Sequence, residues 1–303
     1  MENTDHRITT CLWFDDQARD AAEFYTSLFK NSRIGEITRY GREGQEIHGQ
    51  PEGADMTVSF ELEGGKFTGL NGGPVFRFNP SVSLFAVVSG ERIEELWKKL
   101  EKGGQILMPL DKYEWSDRYG WVQDKFGLNW QLMLDEGNMK QKICPLLFFT
   151  GPAKGRAEEA IGFYTSIFKN SRTEGIMRYS EEDPTETGWV KHAQFQILGQ
   201  TFMAMDGGPE HDFTFNEAVS FVIGCETQEE IDYYWDHLSE GGDEKAQQCG
   251  WLKDKFGVSW QIVPNLLHKM LSGENKTRAD KVTKAFLQMK RFDIKKLREA
   301  YDS

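Results

Sequence analysis

The chain has 303 residues, 39% of them hydrophobic and 13% aromatic, with a formal net charge of −12. That length suits about two packed domains, and no run reaches the ~18–20 apolar residues of a membrane span. The acidic balance argues against nucleic acid as a partner.

From the N-terminus, MENTDHRITT lacks a basic region followed by an apolar run, so neither a signal peptide nor a membrane partner is expected. ITTCLWF (8–14) is β-branched and aromatic, which predicts a strand. DDQARDAAEFYTSLF (15–29) sets Ala18, Ala22, Tyr25 and Phe29 at helical spacing behind an acidic first turn, and KNSR ends the helix. IGEITRY (34–40), DMTVSFELEG (55–64) and KFTGLNGG (66–73) predict strands, with a hairpin at Gly64–Gly65. The pattern then restarts. SVSLFAVV (81–88) is a strand, and ERIEELWKKLEKGG (91–104) is a helix with Ile93, Leu96, Trp97 and Leu100 on one face and glycines at its end. QILMPLDKYEW, YGWVQDKFG and LNWQLML predict three more strands.

This unit, βαβββ twice, is written a second time. FYTSLFKNSR (24–33) returns as FYTSIFKNSR (163–172), NGGP (71–74) as DGGP (206–209) and FNPSVSLF (78–85) as FNEAVSFV (215–222). GWVQDKFGLNWQL (120–132) returns as GWLKDKFGVSWQI (250–262). Matching order and spacing mark a tandem duplication of a whole domain. The expected domains are 1–138, 139–272 and a tail, 273–303. Their formal charges are −8, −8 and +4. The fold expected is α+β, with helices packed on the outer face of curved, mostly antiparallel sheets around a cavity. Four scattered cysteines without a CxxC fit a reducing cytoplasm.

Paired βαβββ modules, with AAEFYTSLFKNSRI, NGGP and SDRYGWVQDKFGLNWQL in copy one and EAIGFYTSIFKNSR, DGGP and CGWLKDKFGVSWQIVP in copy two, resemble the vicinal oxygen chelate (glyoxalase/bleomycin-resistance) superfamily. The wording is closest to its PhnB-like branch, which includes proteins labelled 3-demethylubiquinone-9 3-methyltransferases. The tail, PNLLHKMLSG and KAFLQMKRFDIKKLREAY, is similar to that branch's C-terminal helices.

The resemblance implies a cavity lined by metal ligands in the metal-dependent members. By count, those positions fall at Thr10, Ser83 and Gln131 in copy one, and near Pro145, then at Ser220 and Gln261, in copy two. Threonine, serine and glutamine make a poor divalent-metal set, so neither a metal nor another cofactor is expected. Strand alternation puts Thr10, Leu12 and Phe14 on one face and Cys11 and Trp13 on the other. With Thr10 and Gln131 toward the cavity, Trp13, Trp130 and Leu132 pack under helices.

Copy one has a longer arm, MPLDKYEWSDRYG (108–120), where copy two has only EKAQQCG. The arm brings Tyr113, Trp115, Asp117 and Tyr119, aromatic walls with polar points that suit a small organic ligand. NGGP and DGGP read as turns, not as a nucleotide loop, which weighs against S-adenosylmethionine-dependent methyl transfer. Cys249 and His192 are the candidates for catalysis, as thiolate and base. A small-molecule binding protein working without a metal is therefore the leading expectation. A small-molecule enzyme, either of the metal-dependent glyoxalase or dioxygenase type or a methyltransferase as the family label suggests, and a structural or interaction protein are the alternatives. A homodimer of the whole chain stays open.

Overall fold

The computed structural model of the chain describes residues 8–137, 139–182, 187–272 and 275–303. The first module of copy one runs β1 (Ile8–Phe14), α1 (Ala18–Leu28), β2 (Arg33–Arg39), α2 (Gln45–His48), β3 (Asp55–Leu62) and β4 (Gly65–Asn71). Its second module runs β5 (Val82–Val88), α3 (Gly90–Glu101), β6 (Gln105–Tyr113), β7 (Ser116–Gln123) and β8 (Asn129–Leu134). Copy two repeats the order with β9 (Ile143–Phe149), α4 (Ala157–Ile167), β10 (Arg172–Arg178), β11 (Val190–Ile197) and β12 (Gln200–Asp206). Its second module is β13 (Val219–Cys225), α5 (Gln228–Ser239), β14 (Trp251–Lys253) and β15 (Ser259–Pro264). The tail forms α6 (Asn265–Leu271), α7 (Lys276–Phe286) and α8 (Ile294–Asp302).

The strands form two sheets, and each takes one module from each copy. The seven-stranded sheet has the order β14-β15-β13-β1-β4-β3-β2, and the eight-stranded sheet the order β10-β11-β12-β9-β5-β8-β7-β6. The copies meet at two antiparallel seams, β1 against β13 and β5 against β9. Both sheets run continuously from one copy into the other through main-chain hydrogen bonds within one chain.

The repeated motif blocks explain how the modules of one copy hold together. Asp124, in the turn before β8, accepts from the Tyr25 hydroxyl at 2.8 Å, Trp130 Nε1 at 2.9 Å, and the amides of Phe126 and Leu128 at 2.8 and 3.1 Å. Asp254 does the same with Tyr164, Trp260, Phe256 and Val258 at 2.7, 2.9, 2.9 and 3.0 Å. The second residue of each FY pair and the DKFG loop are therefore two ends of one buried staple. A buried carboxyl group demands such partners. Burial pushes both carboxyls up, and the four donors on each oppose that.

The main core lies on the outer, helix-covered faces of both sheets. Trp130 and Trp260 are fully buried there, with Phe29 stacked on Trp130 at 5.5 Å. A second apolar cluster lies on the other, inner face of the eight-stranded sheet, around Phe85, Tyr119, Trp121, Phe148 and Met203.

The glycine pairs of NGGP and DGGP close turns and fix helix starts. Asn71 Oδ1 accepts the Ala18 amide at 2.8 Å, and Asp206 Oδ1 accepts the Ala157 amide at 3.0 Å. A Cβ on Gly72 would stand 2.1 Å from the Trp13 ring, and one on Gly207 2.6 Å from Phe148. Only glycine admits those rings.

Candidate functional site

Cross-strand partners point to the same face of a sheet, so the register assigns each candidate. Thr10 stands opposite Phe67 and Phe221, both in the helix-side core. It therefore faces the helices, which corrects the expectation that it faces the cavity. Cys11 stands opposite Ser220 and takes the inner position. Trp13, on the same face as Cys11, is likewise not under a helix. It lies half-buried against Phe76 and Trp251, at ring distances of 5.0 and 6.0 Å, and donates Nε1–H to the Gly73 carbonyl. In copy two, Pro145 pairs with Leu84, and Leu146 faces inward opposite Ser83.

The exchange of modules also regroups the candidates. Thr10 lies in the seven-stranded sheet, whereas Ser83 and Gln131 lie in the eight-stranded one. The floor of the seven-stranded sheet holds Cys11, Ser220 and Gln261, with Gln261 Nε2 donating to Ser220 Oγ at 2.9 Å. The floor of the eight-stranded sheet holds Leu146, Ser83 and Gln131. There the Tyr119 hydroxyl donates to Gln131 Oε1 at 2.7 Å, and Gln131 Nε2 donates to Ser83 Oγ at 3.0 Å.

Neither set fits a divalent metal. The eight-stranded set has no imidazole, carboxylate or thiol. In the seven-stranded set Cys11 alone has an ionisable ligand atom, and burial pushes its thiol up to about 11. In each set the glutamine amide already donates to the serine hydroxyl. Among the described residues no group of three or more His, Cys, Asp or Glu side chains is arranged to hold a metal ion.

The two inner faces differ in chemistry. The eight-stranded trough is apolar and aromatic. Phe85, Trp121, Phe148 and Met203 are buried in it, and Met108, Met133 and Met205 pack at its edge. The arm, β6 and β7, forms its rim. Tyr113 stacks on Trp115 at 5.0 Å, and both meet Tyr119 edge-on. Trp115 is 48% exposed. Asp117 points away to solvent, where it pairs with Lys112 at 2.6 Å. The seven-stranded trough instead presents Ser220, Ser259 and Gln261 beside Trp13 and Trp251, whose rings meet edge-on at 6.0 Å. Open clefts of about 430 Å³ beside α8 and about 180 Å³ beside the start of α3 contain none of the candidate residues.

The sequence profile of the family described as 3-demethylubiquinone-9 3-methyltransferase matches twice, at residues 6–133 and 141–263. The chain belongs to that family. The PhnB protein from Bacillus cereus is similar at 38% identity, covering 42% of this chain and 98% of that one, with a TM-score of 0.39. Glyoxalase I from Zea mays matches over 85% of this chain and 91% of its own at 12% identity and a TM-score of 0.52, a likeness of fold. An uncharacterized protein of Mycobacterium bovis is 29% identical over 125 residues, 39% of this chain and 76% of that protein. The fold is the vicinal oxygen chelate fold, in tandem.

The family description implies a methyl donor, and the glycine-rich turns do not fit one. Gly72 and Gly207 are occupied by Trp13 and Phe148, and the flanking Asn71 and Asp206 hold helix N-termini. The residues present thus leave no phosphate or nucleoside cradle at these turns.

Cys249 stands at the edge of the seven-stranded sheet, and His192 lies in the eight-stranded one. Cys249 precedes β14, in the left-handed region at φ +51°, with its thiol against the Phe286 carbonyl at 3.6 Å. Burial raises its thiol. His192, on β11, meets Phe85 at a ring distance of 6.0 Å, and burial lowers its imidazole. The topology does not bring them together as thiolate and base. Sequence reasoning passed over Trp121 and Cys11 as site residues, although strand alternation alone would have moved the inner position from Thr10 to Cys11.

Proposed function

We propose that this chain binds a small, flat, mainly apolar organic molecule in the trough of the eight-stranded sheet, without a metal. The observation that carries the reading is Trp121 Nε1. It is a buried N–H with no hydrogen-bond partner among the described residues, set in the apolar cluster of the inner face. Buried donors of this kind are rare because each costs about 1–3 kcal/mol when unmet. A ligand oxygen would satisfy it.

The lining supports that ligand class. Methionines adapt to flat, irregular guests, while Tyr113, Trp115 and Tyr119 offer ring faces at the rim. The buried Tyr119–Gln131–Ser83 chain supplies a few fixed polar points. Phe85, Trp121 and Phe148 fill the trough, so binding would displace side chains rather than enter an open hole. The family description names a demethylubiquinone, whose oxygen-bearing ring belongs to the same chemical class. No helix among the described residues is long and apolar enough to cross a membrane, and free cysteines suit a reducing cytoplasm. Because both sheets are completed within one chain, this reading needs no second copy.

A thermal melt of the full chain with 2-acetonaphthone, a flat ring bearing one acceptor oxygen, tests the reading. A concentration-dependent rise in Tm is expected, reduced in Trp121→Phe, which keeps a ring and removes the donor. No rise in the unsubstituted chain, or an equal rise in Trp121→Phe, would overturn the proposal.

A further inference from the structure

The seven-stranded trough is built from different materials, and the tail closes it. Leu287 touches both ends of this sheet. Its carbonyl accepts from Gln248 Nε2 at 2.7 Å, just before β14, and its Cδ1 lies 2.8 Å from where a Cβ on Gly44 would stand, after β2. Around it, the Cys249 and Gly250 amides donate to the Met289 and Lys290 carbonyls at 2.8 and 2.7 Å. His268 meets Glu36 of β2 at 3.1 Å. The segment 286–292 therefore pairs where copy one has its arm, and it latches the two edges of the sheet.

Inside, the register puts Ser220, Ser259 and Gln261 on one face with Trp251, and Trp13 meets Trp251 edge-on at a ring distance of 6.0 Å. Ser259 is 1% exposed, and its hydroxyl has no hydrogen-bond partner among the described residues. At the matching place in copy one, Asn129 Oδ1 is also without a partner among the described residues. Lys253, on the same face as Ser259, is paired with Glu217 at 3.5 Å. The lining thus offers hydroxyls, an amide and the edges of two indole rings, with Lys253 held by Glu217.

We propose that this trough is a second site, separate from the first, for a small uncharged polyhydroxylated molecule such as a pyranose or a cyclitol. Indole rings pack against the C–H face of such a ring, and serine and glutamine side chains exchange hydrogen bonds with its hydroxyls. The unmet Ser259 hydroxyl takes one of those bonds. A net-charged ligand is disfavoured, because the described lining residues include no free counter-charge.

Saturation-transfer NMR on the full chain, with methyl β-glucopyranoside and myo-inositol as probes, tests this. Transfer to ring protons of at least one probe is expected. It should be lost in Gln261→Leu, weakened at least several-fold in Trp251→Ala and kept in Gln131→Leu. Should Gln261→Leu not fold by circular dichroism, Ser220→Ala, which removes one hydroxyl, is read in its place. Transfer to neither probe, transfer unchanged in the folded floor variant, or transfer lost in Gln131→Leu would overturn the proposal. The acetonaphthone melt reads the other trough, so the two proposals fail independently.

Discussion

The Tyr25 hydroxyl donates to Asp124 Oδ2 at 2.8 Å, joining α1 of the first module to the β7–β8 turn of the second. Both groups are buried. Tyr25→Phe leaves the ring in place and takes one of four donors from the carboxyl, so it should cost about 1–3 kcal/mol. Urea denaturation would show a lower midpoint at unchanged m-value. Tyr164→Phe should behave alike, since Asp254 has the same four partners. An unchanged midpoint in both would mean the staple carries no stability.

Two glycine-to-alanine exchanges should have opposite signs. At Gly72 the new methyl would stand 2.1 Å from the Trp13 ring, so the indole must leave its place against Gly73. A loss of about 1–3 kcal/mol is expected from overpacking. At Gly162, inside α4, nothing lies within 4 Å of the new methyl. There Ala should add about 0.5–1 kcal/mol through helix propensity. Thermal melts of the two variants beside the parent decide it.

Burial holds the His192 imidazole below its ordinary value of 6.5. As pH falls below 6.5, the unfolded chain takes up a proton that the folded chain refuses, so stability is lost over that window. The loss stops once pH falls below the folded-state value. His192→Gln should remove this part of the slope while leaving the carboxylate titrations at lower pH. Denaturant midpoints between pH 7.5 and 5 measure it, and parallel slopes for parent and variant would refute it.

Of the four thiols, Cys11, Cys144 and Cys225 are buried, and burial pushes Cys11 to about 11 and Cys144 to about 12. At pH 8 a thiol-reactive disulfide reagent should meet at most Cys249 in the native protein, and slowly, because burial raises that thiol as well. All four should react in denaturant. Rapid reaction of a second native thiol would count against the packing of β1, β9 or β13.

Much of the architecture was legible before any coordinates, because duplication repeats blocks and helices repeat every 3.6 residues. The DKFG loop and the FY pair could be read as a fold signature, but not as two ends of one hydrogen-bonded staple. The site was harder for a different reason. Placing the inner residue at Thr10 was one position off, and in a strand one position exchanges the faces, so Cys11 and Trp13 moved with it. The pairing of β1 with β13 instead of β5 was out of reach altogether. Local pattern says which face of a strand is apolar, not which distant strand lies beside it. Asp117 was also misjudged, since alternation along β7 does not show that the arm turns this carboxylate outward to Lys112.

The crossing of modules gives the residues between β8 and β9 a particular job. They act as a tether. Either half of the chain, made alone, would carry a finished outer core and two bare strands, β1 and β5 in one case and β9 and β13 in the other. Each half would then seek the other half or a twin of itself. Joined, the halves meet at an effective concentration of about millimolar, far above that of any free rival. The short segment thereby favours the heterologous assembly over two symmetric ones, and this lets the two troughs differ.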